Sequence, residues 1–189
     1  MPGNPPSVET EREALIVYLV QQREGLKYAA YGLSDEQIRL KPSASALSVG
    51  GLIKHAALTE RGWIQIMLGR PEESEEDAYQ DSFALVEHET LDSLIADFDQ
   101  VARETEEAVN SLDDLGTKVQ LPSAPWYPEN REGYSARWVL LHVVEELARH
   151  AGHADIIREH IDGATMYELM AGAEGWPETD WVKPWRPPA

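Results

Sequence analysis

Apolar residues recur at intervals of three and four along four segments of the chain, as expected for amphipathic helices. The pattern predicts α-helices over about residues 8–31, 49–68, 91–112 and 136–161. A serine or threonine precedes each segment and can cap it, namely Ser7, Ser48, Thr90 and Ser135. No extended alternation of apolar and polar residues between turns indicates a strand. We therefore expect an all-α fold in which one domain, residues 1–189, forms a four-helix bundle with long crossover loops.

Two segments outside the predicted helices are rich in aromatic residues and proline. The C-terminal tail carries Trp176, Trp181 and Trp185, and we expect it to fold back on the bundle because large exposed aromatics are unfavourable in water. The loop before the fourth helix carries Trp126 and Tyr127. Together with Trp63 of the second helix, these rings either line the mouth of a pocket or pack in the core.

Composition and charge exclude several classes of protein. A formal net charge of −18 repels phosphate backbones, so nucleic acid is not an expected partner. Neither a signal peptide nor an apolar run of membrane-spanning length is visible, so we expect a soluble protein of the cytoplasm with no membrane partner. The absence of cysteine agrees with a reducing compartment. Any thiol chemistry would therefore need a thiol supplied from outside the chain.

The fourth predicted helix carries the side chains best suited to metal binding or catalysis. At about 100° per residue, His142, Glu146, His150 and His153 fall within about 80° of arc on one face. Imidazole nitrogen and carboxylate oxygen are ligands for borderline divalent metals. Side chains four residues apart can converge on one ion, so this helix can supply two metal ligands.

A third ligand has to come from a neighbouring helix, and His55 in the second helix is the best candidate because it lies on the apolar side. His88 lies in an acidic loop and His160 at the end of the fourth helix, so both are weaker candidates. The polar stripe also fits a buried hydrogen-bond network or a solvated helix face. Charge favours the metal, because a buried carboxylate between imidazoles is costly without a compensating cation.

Two blocks of sequence carry a resemblance to a known family. One covers residues 137–163 and includes Arg137-Trp138-Val139-Leu140-Leu141-His142 and Ala148-Arg149-His150-Ala151-Gly152-His153-Ala154-Asp155; the other is residues 52–63, with His55 in Leu52-Ile53-Lys54-His55-Ala56-Ala57. These blocks resemble the DinB/YfiT superfamily of metalloenzymes, and most closely its actinobacterial branch of mycothiol-dependent enzymes. The likeness extends from about residue 15 to residue 185.

The resemblance implies a DinB/YfiT-like four-helix bundle with one divalent metal ion bound by His55, Glu146 and His150. Many members of the superfamily carry His at the position of Glu146, so this set resembles the two-His-one-carboxylate variant of the mycothiol-dependent isomerase-type relatives. Zinc is the expected metal, with nickel, iron and manganese as alternatives. His142 and His153 are expected beside the ligands or the substrate, where they would orient a ligand or move a proton, and either could replace Glu146.

The resemblance also implies an S-transferase or isomerase that acts on a small electrophile with a low-molecular-weight thiol such as mycothiol. Arg149 and Arg158 are candidate anchors for a carboxylate on the thiol or the substrate, although helix arginines are more often surface ion-pair partners. The alternatives are a metal-dependent hydrolase and a non-catalytic metal-binding or stress-related bundle. A homodimer is expected, since relatives are thought to pair through helix faces.

Overall fold

The predicted all-α fold is confirmed. The computed structural model describes residues 3–70, 81–122 and 133–187. Its helices are α1 (Glu11–Ala30), α2 (Val49–Met67), α3 (Leu91–Ser111), α4 (Ala136–Asp162) and the short α5 (Met166–Ala173), with a 3-10 turn at Gln37–Arg39. Within these ranges the only extended pairing is an isolated bridge between Lys118 and Ser135. Among the helices described, none has the combined length and apolar character needed to cross a bilayer.

Side-chain caps set the helix starts. Ser48, Thr90 and Ser135 each accept a backbone N–H of the first turn, as the sequence predicts. Helix α1 begins later than predicted, because Thr10 rather than Ser7 is its N-cap and forms a capping box with Glu13. Helix α5 lies outside the four predicted helices, since its eight residues are too few to show a clear helical period.

Contacts along α1 and α4 show that these two helices run in the same direction. Arg137, in the first turn of α4, bonds Glu11 in the first turn of α1. Near the other end, the Arg158 guanidinium donates to the carbonyl oxygen of Ala29 at 2.9 Å. Because α2 and α3 lie between α1 and α4 in the chain, this parallel arrangement requires at least one of the three connections to join helices that run in the same direction.

Helices α2 and α3 form a second parallel pair. Lys54 bonds Glu89, which lies just before α3, whereas Arg61, two turns further along α2, pairs with Asp97 and approaches Glu104. The end of α2 and the start of α3 consequently lie at opposite ends of the bundle. Residues 71–80 of the connection between these helices, together with Trp126 and Tyr127, lie outside the described residues.

The inner helix faces meet in one apolar core that holds the bundle together. Fully buried side chains come from all four long helices and include Leu19, Leu26, Leu52, Ile53, Phe98, Val101, Val139, Leu140 and Leu147. Burying a side chain of this size stabilises the folded state by about 1.5–3 kcal/mol. The positions of the metal-binding candidates on α2 and α4 are therefore fixed by well-packed helices.

A buried ionic group ties three helices together. Glu60 of α2 is completely buried, accepts hydrogen bonds from Arg23 of α1 and accepts another from the Thr105 hydroxyl of α3 at 2.5 Å. Arg23 is also almost fully buried. Because an isolated charge in such surroundings is very unfavourable, each partner depends on the other.

The tryptophan-rich tail folds back on the bundle, as predicted. The ring of Trp185 lies 4.7 Å from the Arg158 guanidinium and meets Tyr31 edge to face. The Trp185 backbone N–H donates to the carbonyl oxygen of Glu168 in α5 at 2.8 Å. Trp181 instead remains 68% exposed, so only part of the tail is packed.

Candidate metal centre

Helices α2 and α4 run antiparallel and bring three candidate ligands to one point. His55 meets His150, while Trp63, two turns further along α2, meets His142 at the earlier end of α4. One donor atom from each of His55, Glu146 and His150 lies within 4.8 Å of the others. These are the three residues that the family resemblance implies as metal ligands, one from α2 and two from α4.

His150 is buried against the inner side of α4. Neither of its ring nitrogens has a hydrogen-bond partner among the residues described by the structure. Its Nε2 atom lies 3.5 Å from Oε2 of Glu146, one helical turn earlier. Leaving a buried polar atom unpaired costs about 1–3 kcal/mol. Binding of a partner such as a metal ion to one of these nitrogens would remove that cost.

Glu146 lies between two imidazoles on the same face of α4. Its Oε2 atom approaches His150, while its Oε1 atom is 3.9 Å from Nε2 of His142. The side chain is 28% exposed, so the carboxylate is at the solvent-facing side of the group. Glu146 can therefore coordinate an ion that is still accessible to small molecules.

His55 is held more tightly than the two residues of α4. Its Nδ1 atom lies 2.7 Å from the Ser82 hydroxyl, and its Nε2 atom lies 3.2 Å from the Thr59 hydroxyl. Phe83 stacks on the ring with a centroid separation of 3.8 Å and an interplanar angle of 15°. These contacts fix the plane of the imidazole and leave little rotational freedom to lose when an ion binds.

Burial keeps the candidate imidazoles neutral. Loss of solvation, with a smaller contribution from the charge of His150, lowers the pKa of His55 from 6.5 to about 4. Desolvation also lowers the pKa of His150, although the nearby Glu146 carboxylate opposes the shift. Because a metal binds the neutral imidazole, both side chains are in the ligand form at neutral pH.

His142 and His153 lie beside the three-residue group. The His142 ring stacks on Trp138 with an interplanar angle of 12° and meets Trp63 edge to face, with centroids 4.6 Å apart. His153 is exposed, and its ring centroid lies 5.7 Å from that of His150. Aromatic side chains therefore hold the His142 ring beside Glu146, whereas the His153 ring is accessible to solvent.

The two predicted anchoring arginines have different surroundings. Arg149 is exposed, and its contact within the described chain is an ion pair with Glu145 at 3.5 Å. Arg158 is fully buried and donates to Ala29, Tyr31 and Asp162. The structure thus gives Arg158 a clear packing role, and substrate anchoring by either arginine stays a prediction.

No pattern in the sequence marks Ser82 as part of the site. Ser82 lies in the segment before α3, far from both ligand-bearing helices along the chain, and a lone serine has no recognisable spacing signal. Thr59 is also absent from the residues predicted for the site, although it follows His55 by one helical turn. That i, i+4 relationship was the available signal for its contact with the ring.

The donor set fits a divalent metal ion. Two imidazoles and one carboxylate suit zinc and related cations, and three protein ligands leave at least one coordination position for water or substrate. The ring nitrogens of the buried His150 lack hydrogen-bond partners among the described residues, which is an independent structural reason to expect a bound ion. Fold and site together define a helical-bundle protein with a candidate metal centre between two antiparallel helices.

Comparison with known proteins identifies the family. The chain belongs to the Mycothiol-S-transferase family, whose model matches residues 14–163, which confirms the resemblance seen in the sequence. Among solved structures, it is similar to the crystal structure of the conserved protein of locus from Enterococcus faecalis. That match has 12% identity and a TM-score of 0.66, and it covers 83% of this chain and 100% of the other, which shows a shared fold. No curated protein matches the chain.

Proposed function

We propose that this protein is a metal-dependent S-transferase that joins a low-molecular-weight thiol of the mycothiol type to a small electrophile. The observation that carries the proposal is the convergence of donor atoms from His55, Glu146 and His150 within 4.8 Å. Membership of the Mycothiol-S-transferase family supplies the reaction class. The chain itself contains no cysteine, so the attacking sulfur belongs to the cosubstrate.

His55, Glu146 and His150 would hold the metal ion in this proposal, with zinc as the first candidate and nickel, iron and manganese as the others. Both histidines are buried, whereas Glu146 is partly exposed, so small molecules would approach from the Glu146 side. A divalent cation held by these residues would lower the pKa of a bound thiol and so supply a thiolate at neutral pH.

The thiol proton needs an acceptor, and we assign this role to His153. His153 is exposed and lies beside His150, so it can take the proton and release it to water. The sulfur then forms a bond to the electrophilic carbon as the leaving group departs with the electrons of the broken bond. The exposed Arg149, one turn before His153, would bind a carboxylate of either substrate.

His142 has a different role in the proposal. Its ring stacks on Trp138, and its Nε2 atom faces Oε1 of Glu146 at 3.9 Å, so it would orient the carboxylate rather than exchange protons with bulk water. Such support around a ligand commonly changes metal affinity by about 10–100-fold. The edge-to-face contact with Trp63 limits the alternative positions of the ring.

The thiol cosubstrate of the proposed reaction indicates where in the cell it takes place. A free thiol cosubstrate stays reduced in a reducing compartment, so we place the reaction in the cytoplasm.

We also propose that the protein is a homodimer, because it resembles a family whose members are thought to pair through helix faces. Size-exclusion chromatography with light scattering measures the assembly directly, and a mass near 21.2 kDa would contradict the dimer.

The assignment of the metal ligands is tested by elemental analysis of the metal bound after loading with Zn²⁺, Ni²⁺, Fe²⁺ or Mn²⁺. We expect stoichiometric binding by the wild type and loss of at least about 100-fold in affinity in His55→Ala, Glu146→Ala and His150→Ala. His160→Ala is the matched control, since His160 lies near the end of α4 and bonds the carbonyl oxygen of Ile156. Unchanged binding in all three ligand variants would remove the site assignment.

Turnover is tested with the metal-loaded protein and a panel of small electrophiles in the presence of mycothiol, bacillithiol or glutathione. We expect metal-dependent consumption of mycothiol with formation of a thioether. Hydrolysis of the electrophile without thiol consumption would replace the transferase with a hydrolase. Stoichiometric metal without turnover across the panel would favour a binding protein.

A further inference from the structure

The segment before α3 is closely fitted against the helix that carries His55. The Ser82 side chain is buried, and its hydroxyl lies 2.7 Å from Nδ1 of His55. The next side chain, Phe83, stacks flat on the same ring. One residue therefore contacts the edge of the imidazole while its neighbour covers the face.

A glycine in α2 makes this close approach possible. A Cβ atom added at Gly51 would meet the carbonyl oxygen of Phe83 at 2.3 Å, closer than real Cβ contacts. Gly51 precedes His55 by one helical turn, so the backbone of the segment lies directly against the turn that leads to the ligand. The position of Ser82 is thus determined by packing of the main chain on α2.

We infer that Ser82 is a positioning residue, which holds a proton on Nδ1 of His55 and thereby presents Nε2 as the metal-binding nitrogen. This inference rests on the proposed metal site. A metal-bound histidine generally donates its second ring N–H to an acceptor that fixes the tautomer, and here the Ser82 hydroxyl oxygen is placed to accept it.

The contact on the other side of the ring agrees with the same tautomer. The Thr59 hydroxyl lies 3.2 Å from Nε2 of His55 and can donate to its lone pair when Nδ1 carries the proton. A cation would have to compete with this hydroxyl for Nε2. Ser82 and Thr59 therefore have opposite effects: the first prepares the nitrogen for the ion, and the second competes with the ion.

The first test reads the tautomer directly. In full-length protein with ¹⁵N-labelled histidine and no added metal, long-range ¹H–¹⁵N spectra at neutral pH should show His55 protonated at Nδ1. Titration with Zn²⁺ should then shift Nε2 of His55. A proton on Nε2 in the metal-free protein, or zinc binding through Nδ1, would overturn the inference.

The second test measures zinc affinity by competition with a chelating dye. Ser82→Ala should weaken binding by about 10–100-fold and allow the Nε2–H tautomer to appear, while Ser82→Thr should retain the wild-type values. Thr59→Val should strengthen binding by up to about tenfold, because it removes a competing donor. Unchanged affinity and tautomer in Ser82→Ala would contradict the inference.

Ser111→Ala is the matched control for loss of a serine hydroxyl. Ser111 donates to the carbonyl oxygen of Ala108 at the end of α3, and its replacement should leave both zinc affinity and the His55 spectrum unchanged. If the wild type binds no Zn²⁺, the proposed function fails. The tautomer of metal-free His55 then still decides whether Ser82 orients the ring.

Discussion

The imidazole rings of His55 and His150 meet edge to face, with their centroids 4.8 Å apart and an interplanar angle of 82°. The two residues come from antiparallel helices and are widely separated in the sequence. Both rings are buried, and the Glu146 carboxylate completes the group from the solvent side. This arrangement determines how the protein should respond to metal, to acid and to changes in nearby charges.

Metal binding should raise the thermal stability of the protein. A ligand that binds only the folded state stabilises it by about 2.7 kcal/mol at a free concentration of 100 times Kd. For a chain of this size, the melting temperature should rise by about 5–10 °C relative to chelator-treated protein. Differential scanning calorimetry should show this rise in the wild type and in His160→Ala, but not in His150→Ala. An equal rise in His150→Ala would contradict the assigned site.

The metal-free protein should lose stability as the pH falls from about 6.5 toward 4. The unfolded chain takes up protons on His55 and His150 near pH 6.5, whereas burial lowers the pKa of both in the folded state, to about 4 for His55. The unfolded state therefore binds more protons in this window, and acid favours unfolding. Urea unfolding at several pH values with a chelator present measures the slope. We expect a shallower slope in His55→Gln; equal slopes would contradict the assignment.

Replacing Asp155 should stabilise the protein at neutral pH. Burial, with the charge of Glu159, raises the pKa of Asp155 to about 6, and Oδ1 is a buried atom without a hydrogen-bond partner among the described residues. Because the folded state holds this proton more tightly, the contribution of Asp155 to stability falls as the pH rises from 3.8 to about 6.

Asp155→Asn should therefore raise the free energy of unfolding at pH 7 by about 1–2 kcal/mol, a value reduced to allow for partial solvent screening. The gain should be much smaller at pH 4, because there the folded-state acid is neutral and the unfolded-state acid, with a pKa of 3.8, is only partly ionised. Urea unfolding at pH 7 and pH 4 provides the comparison. A gain of equal size at both pH values would show that the charge is not responsible.

Breaking the buried pair of Arg23 and Glu60 should strongly destabilise the fold. Glu60→Ala removes the buried carboxylate that bonds Arg23 and leaves the guanidinium only its longer contact with the half-exposed Glu106 at 3.6 Å, which should cost about 3–5 kcal/mol in urea unfolding. The double variant Arg23→Met, Glu60→Leu should recover much of this loss, because no isolated charge remains. Glu11→Ala is the control, since its pair with Arg137 is exposed and should contribute far less. A double variant as unstable as Glu60→Ala would refute the explanation.

Local patterns in the sequence predict the four long helices and point to the candidate metal ligands. Apolar spacing of three and four residues is a local property, and so is the i, i+4 placement of Glu146 and His150 on one helix face. The caps at Ser48, Thr90 and Ser135 follow from the same short-range rules.

The arrangement of these side chains relative to one another depends on how the helices and loops pack. The meeting of His55 with His150 depends on the antiparallel direction of α2 and α4, and the contact of Ser82 with His55 depends on a segment that follows a long crossover. Likewise, no local pattern marks Arg158 as a buried residue whose guanidinium is covered by Trp185. Such contacts join residues far apart in the chain, so they are set by global packing rather than by the local preferences a sequence displays.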